Sequence, residues 1–311
     1  MRKIDFSQYS SSRILVTGAS GFIGSMLCDR LSQCGAEVHA VSRRPHTADR
    51  QGINWWQGDL ADYDGVKRLF SAIQPEIVFH LASEVTGSRE LGLVLPTLHG
   101  NLVSTVNVFI AATENNCQRV VTAGSLEEPD ENDRTAIPSS PYAAAKWASG
   151  GYARMFHALY EAPIVVARLF MVYGPGQQDL RKLVPYVILS LLRGESPKLS
   201  SGKRPVDWVY VEDVVDGLLA MGIAEDINGA TMDLGSGQLV TTRDVVERVS
   251  RIIDSGIPLE FGVVPERPME RVRVADAENT YRALGWKPGY SLQRGLEETV
   301  LWYRRQHESG K

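Results

Sequence analysis

The stretch LVTGASGFIG places Gly18, Gly21 and Gly24 at three-residue intervals between an apolar, β-branched run and a segment with helical periodicity. Glycines so spaced let the backbone turn tightly and let a diphosphate approach the N–H groups at the positive end of a helix. A glycine triplet alone is weak evidence, and a plain strand-to-helix turn competes with the dinucleotide reading. Its setting, directly after a strand and before a helix, raises it above chance.

The same alternation runs through the first half of the chain. Apolar runs recur as RILVTG (13–18), EVHAVS (37–42), EIVFHLA (76–82), RVVTAG (119–124) and APIVVARLF (162–170), with helical patterns between them. Continuous apolar strands alternating with helices predict an α/β fold with a doubly wound parallel sheet, buried on both faces. After Phe170 the pattern loosens into the Gly/Pro-rich VYGPGQQ and RGESPKLSSGKRP around the helix-like LRKLVPYVILSLL. The expected organisation is a polar tail (1–12) and a dinucleotide-binding domain (13–170) completed by a helix and strand returning at about 208–236. Residues 171–207 and 237–311 form a smaller C-terminal α/β substrate lobe.

Composition narrows the function. With 43% hydrophobic and 23% charged residues in 311, the chain reads as an ordinary globular protein. A net charge of −4 argues against nucleic acid as partner. Cys28, Cys34 and Cys117 have neither disulfide nor zinc-ligand spacing, and the six histidines are scattered, so no metal is expected. The N-terminus lacks the apolar core of a signal peptide and no apolar run approaches membrane-spanning length, so the expected setting is cytoplasmic and membrane-free.

SPYAAAKW places Tyr142 and Lys146 four residues apart, on one face of a predicted helix. An ammonium beside a phenol favours the phenolate, which lowers the tyrosine pKa toward working pH and lets it exchange protons with a hydroxyl. A helix-surface pair is the bland alternative. The glycine loop and the strand ending at Ser125 make the combination specific.

These residues resemble the extended short-chain dehydrogenase/reductases, the NAD-dependent epimerases, dehydratases and ketoreductases of nucleotide sugars. The resemblance covers nearly the whole chain, through TGASGFIG (17–24), GDL (58–60), FHLAS (79–83), GS (124–125), YAAAK (142–146), RLFMVYGPGQ (168–177), VDWVYVEDV (206–214) and ADAENTYRALGWKP (275–288). It implies a Rossmann-type domain and a lobe holding a nucleotide diphosphate sugar. It also implies a cofactor site built from Gly18, Ser20, Gly21, Phe22, Ile23, Gly24, Asp59, Leu60, Leu81, Ala82, Ser83 and Leu169. Ser125, Tyr142 and Lys146 match the catalytic triad, with the lysine also on the nicotinamide ribose, and Glu84 and Ser125 face the substrate. A homodimer through helices around 102–115 and 142–160 is implied as well. Met171 stands where relatives carry a phosphate-binding asparagine, and Val206 where many carry an arginine. Diphosphate recognition is therefore expected at Arg204 together with Arg267 or Arg273.

The resemblance also bears on the reaction. Dehydratases of the family place an acidic pair after the serine or threonine, whereas Leu126 follows Ser125 here and cannot donate a proton. Glu127 resembles a glutamate of the GDP-4-keto-6-deoxymannose reductases and is a candidate for proton transfer, against the plain reading of a solvated acidic loop. Where a dinucleotide fold often ends its second strand in an acid, this chain has Ser42, Arg43 and Arg44, which suit a 2′-phosphate. The expected cofactor is NADP(H), with NAD(H) possible. The expected reaction is reduction of an NDP-4-keto-6-deoxyhexose with Tyr142 as general acid; the alternative is a 4-epimerase or dehydratase that recycles its cofactor.

Overall fold

The structure is a computed structural model and describes residues 4–45, 52–130, 135–266, 269 and 271–309. Along the chain, β1 (Arg13–Thr17), α1 (Phe22–Gln33), β2 (Glu37–Ser42), β3 (Ile53–Gln57), α2 (Tyr63–Ile73) and β4 (Ile77–His80) come first. Next are α3 (Val94–Thr97), α4 (Ser104–Glu114), β5 (Arg119–Ser125), α5 (Pro141–Tyr160) and β6 (Ile164–Leu169). There follow β7 (Met171–Tyr173), α6 (Leu183–Leu192), β8 (Lys198–Leu199), β9 (Pro205–Tyr210), α7 (Val211–Ile223), β10 (Thr231–Leu234) and β11 (Leu239–Thr241). The chain closes with α8 (Thr242–Ile253), β12 (Glu260–Phe261), α9 (Ala277–Leu284) and α10 (Leu292–Ser309).

The chain divides into two compact units. The first comprises Met1–Leu169, Val215–Asp233 and Glu278–Trp286, and contains a seven-stranded sheet in the order β10-β6-β5-β4-β1-β2-β3. Strands β1 to β6 pair in parallel. All residues of β4 and β5 are buried, as expected of strands covered on both faces. The strand order reverses between β1 and β4, the point where open α/β sheets bind ligands beyond their carboxyl ends.

The second unit, Phe170–Val214, Leu234–Ala277 and Lys287–Lys311, holds the sheet β11-β9-β7 and the pair β12-β8. Its apolar cluster joins α6, α8 and α10 through Val187, Ile188, Val245, Val249, Leu296 and Val300. The buried Asp207 carboxylate knits this unit, accepting from the N–H groups of Ser236, Gly237 and Ala275 and from the Ser236 hydroxyl.

Two sequence expectations change. The return to the first sheet begins at Val215 rather than near 208, because β9 pairs with β7 and β11 instead. Glu278–Trp286 also belongs to the first unit, where the Thr280 hydroxyl donates to the Asp233 carbonyl at 2.9 Å. Second, Leu91–Glu114 is a 24-residue helical stretch apolar enough by length and composition to cross a membrane. Its last part is core, however, with Val108, Phe109, Ala111 and Ala112 packed against the α2 residues Leu69 and Phe70.

A buried polar chain ties β1, β4 and the helix before β5 together. His80 has Thr17 Oγ1 at 2.8 Å from Nδ1 and Thr105 Oγ1 at 2.9 Å from Nε2. Thr105 donates its own proton to the Asn101 carbonyl at 2.5 Å, so it must accept from Nε2–H. Nδ1 is then the acceptor for the Thr17 hydroxyl, whose oxygen in turn accepts from the Ala82 N–H at 3.2 Å. One proton assignment satisfies every member, and it requires neutral histidine. Burial, reinforced by the Lys146 cation, pushes the His80 pKa down to about 3.

Two tests follow from this packing. Because the folded-state value lies below the unfolded value near 6.5, the His80 contribution is complete above about pH 6.5 and is lost as pH falls toward about 3. The unfolding free energy from urea titrations between pH 7 and 4.5 should therefore fall by up to about 1.4 kcal/mol per pH unit from this group, and His80→Gln should flatten that slope while lowering stability at pH 7. At Gly24, a Cβ would lie 2.2 Å from the Gly18 carbonyl oxygen. Gly24→Ala should cost about 1–3 kcal/mol in the same assay; an unchanged midpoint would contradict the close packing.

Candidate active site

The glycine loop folds as its spacing predicts. Gly18 has φ +66°, and a Cβ there would lie 2.7 Å from the Ala82 nitrogen, so only glycine allows the end of β1 to touch the segment after β4. Gly21 donates to the Gly18 carbonyl at 2.9 Å and is the N-cap of α1, where it supplies no side-chain hydrogen bond. The first turn of α1 thus presents backbone N–H groups, including those of Phe22 and Ile23, to an anion. Ser20 is exposed beside them. Leu81 donates its N–H to the Thr17 carbonyl at 3.2 Å, and the Ser83 hydroxyl oxygen is buried with no hydrogen-bond partner among the described residues. An uncapped helix start, glycine-lined turn and orphaned hydroxyl are the features a dinucleotide diphosphate and its neighbours would use. These residues fit the group.

Asp59 caps its own turn, accepting from the Ala61 N–H at 2.9 Å, while Leu60 is buried with its carbonyl held by Asn107 at 2.9 Å. Ser42, at the end of β2, is buried and its hydroxyl donates to the Arg44 carbonyl. Arg43 forms an ion pair with Glu84 at 2.5 Å, with the two side chains 69% and 41% exposed. Glu84 is fixed from behind by Asn101, which accepts from its N–H at 2.6 Å and donates to its carbonyl at 3.1 Å. Sequence reasoning missed this partner for Arg43, because 41 residues separate the two and no local pattern links them.

Ser125, Tyr142 and Lys146 are all buried and lie on β5 and the facing helix α5. The Ser140 hydroxyl caps α5 at the Ala143 N–H, 3.1 Å away, with Pro141 in the first turn. Lys146 Nζ donates to the Ala123 carbonyl at 2.8 Å and sits 6.0 Å from the centroid of the Tyr142 ring. The expected acidification of the tyrosine by this lysine is not what the geometry produces. Burial raises the Tyr142 pKa, a hydrogen bond with Ser125 lowers it, and the Glu127 and Glu128 carboxylates raise it further. Desolvation wins because the ammonium is held to the strand carbonyl rather than to the phenol. Lys146 is itself pushed down to about 8 by burial, against the opposing pull of Glu128.

Of the two adjacent glutamates, Glu127 is half-buried and donates its N–H to Ser125 Oγ at 3.2 Å. Glu128 is fully buried and accepts the Ser125 N–H at 2.6 Å. Leu126 is buried, and its N–H donates to the Leu169 carbonyl at 2.9 Å. In the second unit, Met171 opens β7 and packs on the apolar cluster, as does the buried Val206. Arg204 donates to the Arg271 carbonyl at 3.0 Å, Arg273 is half-exposed nearby in sequence, and Arg267 lies outside the described residues.

Comparison with known proteins places the chain in a family. The family model described as "NAD dependent epimerase/dehydratase family" matches residues 14–235. The dTDP-glucose 4,6-dehydratase 1 of Escherichia coli is 29% identical, over 94% of this chain and 92% of its own length. The UDP-glucose 4-epimerase of Mycolicibacterium smegmatis is 30% identical, over 95% of this chain and all of its own. Among solved structures, an epimerase of Methanothermobacter thermautotrophicus superposes with TM-score 0.86 at 26% identity, covering 98% of this chain and 95% of that one. The Thermus thermophilus UDP-glucose 4-epimerase in complex with NAD gives 0.82 at 27%, covering 94% and 99%. The chain is an enzyme of the extended short-chain dehydrogenase/reductase type and belongs to the NAD-dependent epimerase/dehydratase family.

Proposed function

We propose that this protein interconverts C4 epimers of a nucleoside diphosphate sugar, using a retained NAD that undergoes no net change. The observation that carries the choice among family reactions is Leu126. A buried leucine follows Ser125 where elimination of water needs an acid, so the strand end is equipped to exchange a hydroxyl proton and not to expel a hydroxyl. A UDP-glucose 4-epimerase among the relatives, similar over the whole length of both chains, supports the same reading.

Bound NAD supplies the hydride acceptor and donor. The chain's own residues handle the proton and the substrate oxygen. Tyr142 Oη takes the C4 hydroxyl proton and returns it, while Ser125 Oγ hydrogen-bonds the same oxygen. Lys146 orients the cofactor ribose and contributes positive charge. Glu84 offsets the charge of Arg43, which favours a cofactor without a 2′-phosphate; a keto-sugar reductase drawing on NADPH is the reading that the two arginines would otherwise support. A homodimer is proposed through the apolar surface of the Leu91–Glu114 stretch and α5, where Leu91, Leu95, Trp147, Leu159 and Tyr160 are exposed.

The function is tested by incubating the protein with UDP- and dTDP-sugars and following both NADH absorbance and product mass. Epimerised product of unchanged mass without net cofactor turnover is expected; a 4-keto-6-deoxy product, 18 mass units lighter through loss of water, would overturn the reading. Tyr142→Phe should lower turnover by roughly 100- to 10,000-fold while NAD affinity stays within about twofold. NAD should bind more tightly than NADP, and Glu84→Gln should narrow the gap by about three- to tenfold by releasing Arg43, a modest change because the pair is exposed. Tighter NADP binding by the natural protein would return the reductase to first place.

A further inference from the structure

Glu128 and Lys146 occupy neighbouring peptide groups of one strand end. Lys146 Nζ takes the carbonyl of Ala123 at 2.8 Å, and the Glu128 carboxylate takes the N–H of Ser125 at 2.6 Å. The carbonyl of one residue and the N–H two residues later project from the same side of an extended strand, so the cation and the anion are held on one edge of β5. Gly124 lies between them. A Cβ at 124 would come within 2.7 Å of Glu128 Oε1, so the absence of a side chain there makes the seat for the carboxylate.

The surroundings are nearly dry. Lys146 and Glu128 are 3% and 4% exposed. From β6, Arg168 approaches Glu128 with Nε at 3.8 Å from Oε2, and it pairs with Asp233 on β10 at 3.0 Å. From β4, the neutral His80 faces Lys146; from α5, so does Tyr142 on the same helix; and Glu127 stands half-buried beside Ser125. Two cations and two anions are thus buried together, Asp233 being the nearer anion to Arg168. A buried charge persists only if paired.

We propose that Glu128 is a positioning residue of the site: its carboxylate is the internal counter-ion that keeps the Lys146 ammonium charged, and its hydrogen bond to the Ser125 N–H fixes the serine. Without it, burial would drive Lys146 toward the neutral amine. The lysine already titrates near 8 with Glu128 opposing that drift. The same carboxylate helps to keep the proton on Tyr142. Burial is the larger cause at the phenol, and the same acid biases both members of the pair, toward a cationic lysine and a neutral phenol.

The inference rests on the assignment of Ser125, Tyr142 and Lys146 to the working site, but its test needs no substrate or cofactor. Protein labelled with 13C at the lysine ε carbon would be titrated by NMR, the Lys146 signal being identified by its loss in Lys146→Arg. In Glu128→Gln, which keeps an acceptor for the Ser125 N–H and removes the charge, the Lys146 midpoint should move to lower pH by about one unit or more. Glu127→Gln should leave it near the natural value. Should the Gln variant fail to fold, Glu128→Asp draws the charge back by one methylene and should shift the midpoint in the same direction by less. An unchanged midpoint in a folded Glu128 variant overturns the proposal. Failure to epimerise any sugar nucleotide would leave this titration untouched, so the two readings fail separately.

Discussion

The structure turns on two contacts too close for any side chain: Gly18 against the backbone of Ala82, and Gly24 against the carbonyl of Gly18. They bring the ends of β1 and β4 and the start of α1 to one point at the reversal of strand order. At that point lie the backbone N–H groups of a helix start, the Ser83 hydroxyl, which has no partner among the described residues, and the threonine that begins the His80 chain. Larger residues would push α1 away from the sheet, and the positive end of its dipole would no longer face the crevice. A constraint that looks purely steric is what gathers the groups that an anion would use.

Beneath that point the polar groups are layered by charge. His80 is neutral because its two neighbours leave room for one ring proton, and a second proton would put an imidazolium near the buried Lys146. Above it the lysine is a cation with a carboxylate along the same strand edge. The Asn101 of the wider helical turn, Leu98–Val103, joins the layers: its carbonyl receives the Thr105 proton, while its side chain holds Glu84. A deletion in any one of these groups leaves its neighbour unsatisfied in a low dielectric, which costs more than the bond itself.

Much of this was legible in the sequence where the signal is local. The strands carrying the glycine loop, Ser42, His80 and Ser125 are short β-branched runs, and each forms close to its expected position. β3, INWWQ, was not legible, because an edge strand with exposed Asn54 and Gln57 shows no continuous apolar run. Tyr142 and Lys146 were legible as a pair, yet their spacing conveys proximity and not the direction of the ammonium, which β5 decides. Glu127 and Glu128 are indistinguishable as letters. What separates them is the missing Cβ of Gly124, a fact that becomes meaningful only once α5 and β6 have closed around the strand end. The Arg43 and Glu84 pairing was illegible for the same reason: it joins two loops that only the sheet brings side by side.

The raised tyrosine pKa bears on how such a site runs a reversible reaction. Burial, with the carboxylates of Glu127 and Glu128, holds the proton on Tyr142, so the resting group is an acid, ready to protonate an alkoxide but poor at abstracting a proton. For the opposite step a positive charge would have to come near the phenol, and at so buried a group any added charge acts at low dielectric and with little screening. The proton affinity of Tyr142 would therefore respond to the charge of any group bound beside it, provided that burial is kept. Burial, which costs the tyrosine its acidity, is also what makes it responsive, and the carboxylates beside Ser125 set the resting point from which that response begins.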